Sequence, residues 1–183
     1  MSETQPSSSA PAGAAPQAAT DLRRLQNDLT ISQHVTAATG AGFIPLPLAD
    51  LAVVSGIQLD LLYRLCRLHG TPFTRQAARG VLTSLLGGAV PGLQSAFFAS
   101  SGLKFIPGVG SAASFFATPV LAGASTYAVG RVFAEHLETG GTLLTFDAQK
   151  MKAHFEQAFQ DGKRMVGMGG KKPAAPADAT PAS

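Results

Sequence analysis

Tryptophan is absent from this 183-residue chain, and cysteine occurs once, at Cys66. One cysteine excludes an intrachain disulfide and fits a reducing compartment. Charge is scarce as well: 14 Lys and Arg against 11 Asp and Glu leave a net +3. No run of basic residues is interleaved with aromatics, so nucleic-acid binding is not expected. The first 19 residues have neither a basic opening nor an apolar core, so no secretory leader is expected. No Gly-x-x-x-x-Gly-Lys-Ser/Thr loop occurs, so no phosphate-binding loop of that kind is available. The four histidines, His34, His69, His136 and His154, show no metal-ligand spacing, so neither a metal nor another cofactor is expected. Solvation at helix ends is the expectation for His69 and His136.

The most telling absence is local. Gly80 to Leu103 carries no charge, and neither does Phe105 to Gly130; Lys104 alone separates them. At about 1.5 Å per helical residue, each stretch is long enough for the roughly 30 Å apolar core of a bilayer. Both carry small residues at every fourth position. The first reads Gly80, Ser84, Gly88, Gly92, Ala96 and Ser100, and the second reads Gly110, Ser114, Thr118, Ala122, Thr126 and Gly130. A four-residue step keeps to one helix face, so each helix would present a smooth groove for close packing against the other. Two readings stand. The pair is a hydrophobic hairpin that enters or crosses a membrane, or it is the tight core of a soluble bundle or oligomer. The five glycines, four serines, Pro91 and Gln94 of the first stretch make it poorly apolar for a span.

The ends differ from the middle. Residues 1–19 and 166–183 are rich in Ser, Ala, Pro, Gly and Lys and poor in large apolar side chains. Such composition cannot offset ordering entropy, so both are expected as disordered tails around a domain at 20–165. Within that domain the signals are helical throughout. A first helix is predicted from Thr20 or Asp21 to Thr39, closed by Gly40. The corner with Pro45 and Pro47 opens a second, to Leu68, with Asp50 in its first turn and Gly70 at its end. Thr71 or Thr74 caps a third, Arg75 to Ser101, kinked at Pro91. The corner with Pro107, Gly108 and Gly110 opens a fourth, to Leu137, stopped by Gly140-Gly141. A last amphipathic helix is expected over Ala148 to Met165. The fold class is all-α: two antiparallel hairpins plus that C-terminal helix.

Candidates for chemistry are thin. Gly108-Val109-Gly110-Ser111 at a helix start has the form of an anion cradle, but a hairpin corner explains those glycines as well. Asp50 and Asp60 lie on one helix and would share a face; a cap for Asp50 and a pair with Arg64 for Asp60 are the simpler roles. Arg64 and Arg67 flank Cys66 and would favour its thiolate, against a buried structural thiol. No catalytic residue emerges.

Several segments carry a resemblance. They are Phe43-Ile44-Pro45-Leu46-Pro47-Leu48-Ala49-Asp50, Leu62-Tyr63-Arg64-Leu65 with His69-Gly70, and Leu85-Leu86-Gly87-Gly88. Lys104-Phe105-Ile106-Pro107-Gly108-Val109-Gly110 follows, then Phe133-Ala134-Glu135-His136, Gly140-Gly141-Thr142 and Phe146-Asp147. In this order the run from His34 to Phe159 resembles the bacterial YcjF-like, GTPase-associated family called domain of unknown function 697. The resemblance implies a helical protein, often of membranes, that works with a GTPase. It carries no catalytic residues. This chain lacks the family's GTPase domain and its additional membrane segments, so nucleotide chemistry would sit in a partner.

The expectation is therefore a membrane-associated adaptor that is not an enzyme. It would contact membrane lipid and dock a protein partner, a GTPase being the first candidate, with homo-oligomerisation also open. Arg75 and Arg79 precede the first uncharged stretch and Arg131 follows the second. The bias of positive charge places these and both termini on the cytoplasmic side of the inner membrane, with Lys104 at the far side.

Overall fold

The structure, a computed structural model, describes residues 14–43, 49–88 and 111–167. Among the described residues there are five helices and no strand: α1 (Ala14–Ala41), α2 (Ala49–Leu68), α3 (Arg75–Gly88), α4 (Ser111–Glu138) and α5 (Lys152–Gly167). The protein is all-α.

Helix ends follow local chemistry. Thr74 is the N-cap of α3, its Oγ1 accepting from the Ala77 N–H at 3.4 Å. Gly70 takes φ +64° after α2, so the Thr71 N–H reaches back to the Cys66 carbonyl at 2.9 Å. Gly140 repeats the arrangement after α4 with φ +84°, where the Gly141 N–H bonds the His136 carbonyl at 2.9 Å. Both are left-handed caps that satisfy carbonyls left open by the last turn.

Three boundaries differ from expectation. α1 begins at Ala14, inside the stretch read as a tail, and runs through Gly40 to Ala41. Alanine and glutamine are good helix formers, and their lack of large apolar atoms does not oppose a helix that stays exposed. The chain turns at Gly42 instead, which lies so close to Pro119 that a Cβ there would sit 2.5 Å from the proline Cα. α5 starts at Lys152, not Ala148, because Asp147 first closes a turn by accepting from the Gln149 and Lys150 N–H groups at 3.0 and 3.3 Å.

Beyond Gly88 the first arm of the expected hairpin lies outside the described residues, and within them α4 makes a smaller contact with α3 than with its other neighbours. α4 runs through the middle of the bundle, packed chiefly against α5, α1 and α2. Ala122, Ala124, Ser125, Thr126, Ala128, Val129, Val132, Phe133, Ala134 and Leu137 are all buried along it. Its small residues let three neighbours close in. Gly130 sits against Ile31 of α1 and Leu61 of α2, Gly123 against Thr39 of α1 and Val166 of α5, and Gly162 of α5 against the Ala124 backbone. A glycine or alanine on each side is what a central helix of this kind requires.

The core joins Ile31 and Val35 of α1, Leu61, Leu62 and Leu65 of α2, and Val81, Leu82 and Leu85 of α3 to α4 and to Phe155 and Phe159 of α5. Each large side chain removed from water contributes roughly 1.5–3 kcal/mol. α5 supplies its share through Phe155, Phe159 and Gly162, which are spaced four and three residues apart on one face.

Candidate functional site

The residues singled out for close packing fall into four groups. Gly80 and Ser84 lie on the outer face of α3, exposed, and a Cβ added at Gly80 would meet nothing. The core face of that helix is the opposite one, with Ala78, Val81, Leu82 and Leu85. Gly88 is the last residue of α3, and Ser114 lies in the first turns of α4. Thr118, Ala122, Thr126 and Gly130 are buried on α4; Gly130 lies against Ile31 of α1 and Leu61 of α2, and Thr126 accepts from Gln58 of α2. Gly92, Ala96, Ser100, Lys104 and Pro91 lie outside the described residues, as do the corner residues Pro45, Pro47, Pro107, Gly108 and Gly110. Among the described residues no helix is long and apolar enough to cross a membrane.

Polar side chains are gathered at three places that helix spacing alone does not reveal. Gln58 of α2 is 1% exposed, and its Nε2 donates to Ser125 Oγ and Thr126 Oγ1 of α4, both at 3.2 Å. Both hydroxyls donate in turn to the Ala122 carbonyl, at 3.0 and 2.8 Å. This closed network fixes the register of α2 on α4, since a slip would strand buried polar atoms.

The second place joins α1, α2 and the end of α4. Asn27 is buried at 2% exposure. Its Nδ2 donates to Glu138 Oε1 at 3.1 Å, and its Oδ1 accepts from His69 Nε2 at 3.2 Å. Arg24 lies 3.7 Å from the other Glu138 oxygen. Burial lowers the His69 pKa, the charge of Arg23 lowers it further, and Glu138 opposes both. His136, the other histidine expected to be solvated, donates from Nε2 to the Thr142 carbonyl at 3.0 Å and meets Phe146 edge-on at 5.1 Å. These two histidines fasten helix ends to the body instead of merely facing water.

The third place is a groove between α1 and α2, about 490 Å³, lined by Gln33, His34, Ala37, Val53, Ile57 and Asp60, with Arg64 at its mouth. His34 Nε2 contacts Asp60 Oδ2 at 2.9 Å, and its Nδ1 contacts the Thr30 carbonyl at 2.7 Å. Arg64 Nε donates to the same Asp60 oxygen at 2.7 Å, the pair expected from four-residue spacing. Burial alone would raise the Asp60 pKa, but the hydrogen bonds and charges of Arg64 and His34 outweigh it and hold the carboxyl below its ordinary value.

These arrangements hold helices together. The His34 ring nitrogens are taken by a carbonyl and a carboxylate, so the His–Asp pair has no free basic nitrogen for a nucleophile. Cys66 is fully buried, and burial pushes its thiol pKa up, with a smaller opposing contribution from Thr71. A thiol in that state is a poor nucleophile. Among the described residues no group of three or more His, Cys, Asp or Glu side chains is placed to hold a metal ion.

The model of the family described as Domain of unknown function (DUF697) matches residues 14–164, from the first residue of α1 into the last turns of α5. The chain belongs to this family. It is also 40% identical over 144 residues to Magnetosome membrane protein 22 of Magnetospirillum gryphiswaldense, covering 79% of this chain and 74% of that relative. No solved structure matches the chain. The DUF697 match therefore takes in all five helices and the three polar clusters, and it brings no assigned activity with it.

Proposed function

We propose that this DUF697 chain is a membrane-associated helical adaptor, which docks a cytoplasmic protein partner and performs no reaction of its own. The observation that carries the reading is the 40% identity to a relative named a magnetosome membrane protein. The charge pattern supports it: residues 80–110 hold one charge, Lys104, and the outer face of α3 that leads into them is uncharged at Gly80, Thr83, Ser84 and Gly87. Membrane contact on this reading belongs to that region and not to α4. The groove beside His34, Asp60 and Arg64 is the place offered to a partner, because it combines an exposed Val53 with an arginine at its mouth. A GTPase is the first partner to test.

A second reading has its own observation. The part of the second uncharged stretch from Thr118 to Gly130 is largely buried and packs chiefly against α1, α2 and α5, as in a bundle that stands without lipid. Alkaline carbonate extraction of cell membranes separates the two. Retention of the chain in the pellet supports the adaptor, and its quantitative release supports the bundle. Affinity capture from a membrane extract, repeated with GTP analogue and with GDP, tests the partner. Nucleotide-dependent recovery of a GTPase is the expected result, and recovery of none rejects that partner.

A further inference from the structure

The first half of α1 stands clear of the body. Residues 16–26 are all exposed, and Asn27 is the first buried residue of the helix. Three leucines on this half are open to solvent: Leu22 at 61%, Leu25 at 59% and Leu29 at 63%. They are spaced three and four residues apart, with Ala18 four residues before them, so they occupy one face. The core residues Asn27, Ile31, His34, Val35 and Ala38 occupy the opposite face. Ala18, Leu22, Leu25 and Leu29 thus fall at alternating a and d positions of a heptad. The next two seam positions are Ser32 and Thr36, both exposed, so the apolar seam ends where α1 joins the body.

We propose that this seam is a self-association surface, which pairs with α1 of a second copy of the chain in parallel and in register. The flanking residues select that occupant. Asp21 and Asp28 border one side of the seam, and Gln26 and Gln33 border the other. In a parallel pair each aspartate of one copy faces a glutamine of the other, Asp21 against Gln26 and Asp28 against Gln33, and a glutamine amide donates to a carboxylate. An antiparallel pair would set Asp21 against Asp28, like charge against like. A lipid surface fits less well. Interfacial helices carry Lys and Arg beside the apolar face. Here Arg24 turns to Glu138, and Arg23 lies near enough to His69 for its charge to be felt there. Asp28 is already held by Arg131 at 2.6 Å, which reduces its pull on a foreign basic helix. Burial of the leucines also explains how a helix segment with no buried residue of its own from 16 to 26 persists, since short isolated helices are marginal in water.

The test uses the purified full chain with single cysteines, since Cys66 is buried and the unaltered chain serves as the background. Leu25→Cys lies on the seam and Arg23→Cys does not. Mild oxidation in phosphatidylcholine vesicles should cross-link Leu25→Cys into disulfide dimers in several-fold higher yield than Arg23→Cys. Equal yields, or none from either, overturn the proposal. Sedimentation in detergent should give a dimer for the unaltered chain and a monomer for Leu22→Gln/Leu25→Gln with unchanged helical circular dichroism. A monomeric unaltered chain overturns the proposal. A fluorophore on Leu25→Cys that shifts to the blue only when phosphatidylglycerol vesicles are added, with no cross-linking of the unlabelled Leu25→Cys chain, marks a lipid face and overturns it as well.

Discussion

Gly162 and Gly80 are both helical glycines, and their surroundings set opposite outcomes for one substitution. A Cβ at Gly162 would stand 2.9 Å from the Ala124 Cα and 3.0 Å from its carbonyl oxygen, and backbone cannot swing aside. A Cβ at Gly80 would meet nothing. Each Gly→Ala change gains about 1 kcal/mol of helix propensity. Only the first incurs the overpacking cost of about 1–3 kcal/mol. Gly80→Ala should raise the melting temperature, and Gly162→Ala should melt lower than it, by about 2–4 °C for each kcal/mol in a chain of this size. Equal melting of the two would show that α5 does not close on α4 as described. His69 makes a second residue-level test. Its pKa is lowered in the folded state, so its contribution to stability is present above the unfolded value of about 6.5 and is lost as pH falls below it. His69→Gln keeps a donor for Asn27 but cannot titrate. Urea unfolding should therefore show a smaller loss of stability between about pH 7 and pH 5 in the variant than in the unaltered chain. An identical loss in both would remove His69 from the account.

At the scale of elements, the capped ends at Gly70, Thr74 and Gly140 were legible, whereas the ends of α1, the start of α5 and the partners of the helices were not. Gly70, Gly140 and Thr74 stop or start helices by chemistry confined to a few neighbouring residues, and each sits where the sequence placed it. A stripe such as Thr118, Ala122, Thr126 and Gly130 tells only that one face is smooth. It does not tell which helix will use it, and the neighbours are α1 and α2. The polar clusters were hidden for the same reason. Gln58 meets Ser125 across 67 positions of chain, and His34 meets Asp60 across 26, distances at which spacing carries no signal. Asp60 with Arg64 was legible because both lie on one helix, four residues apart. The N-terminal end of α1 separates presence from contribution: it is helical from Ala14, yet residues 16–26 are all exposed. Removal of residues 1–19 should leave thermal melting unchanged. Removal of residues 1–31 takes away Asn27 and Ile31 and strands the Glu138 carboxylate and His69, so cooperative melting should disappear. A lowered melting point in the shorter truncation would show that residues 1–19 contribute to the fold.

The whole molecule sets α4 inside a ring of helices, and this changes what a membrane can touch. From Thr118 to Leu137 most of α4 is buried, packed chiefly against α1, α2 and α5, and that part has little left to offer lipid. The other uncharged stretch runs from Gly80 to Gly110, broken only by Lys104 and entered by way of α3. Its flanking charges are unequal. Arg75 and Arg79 stand at the start of α3 and Arg131 lies in the second half of α4, whereas Lys104 is alone within the stretch. Positive charge is retained on the cytoplasmic side, so the arginine end and the N-terminal half of α1 should face the cytoplasm while Lys104 is withdrawn. A lone lysine can extend its stem to headgroups, so insertion does not require a complete crossing. Single cysteines at positions 20 and 104 read this directly in intact inverted membrane vesicles, whose outer surface is the cytoplasmic one. Thr20→Cys should react with a membrane-impermeant maleimide, and Lys104→Cys should be protected until detergent is added. Equal reaction at both positions before detergent would mean that residues 80–110 lie outside the bilayer. The chain would then be held at the membrane, if at all, by a protein partner, and the bundle built around α4 would be the complete functional unit.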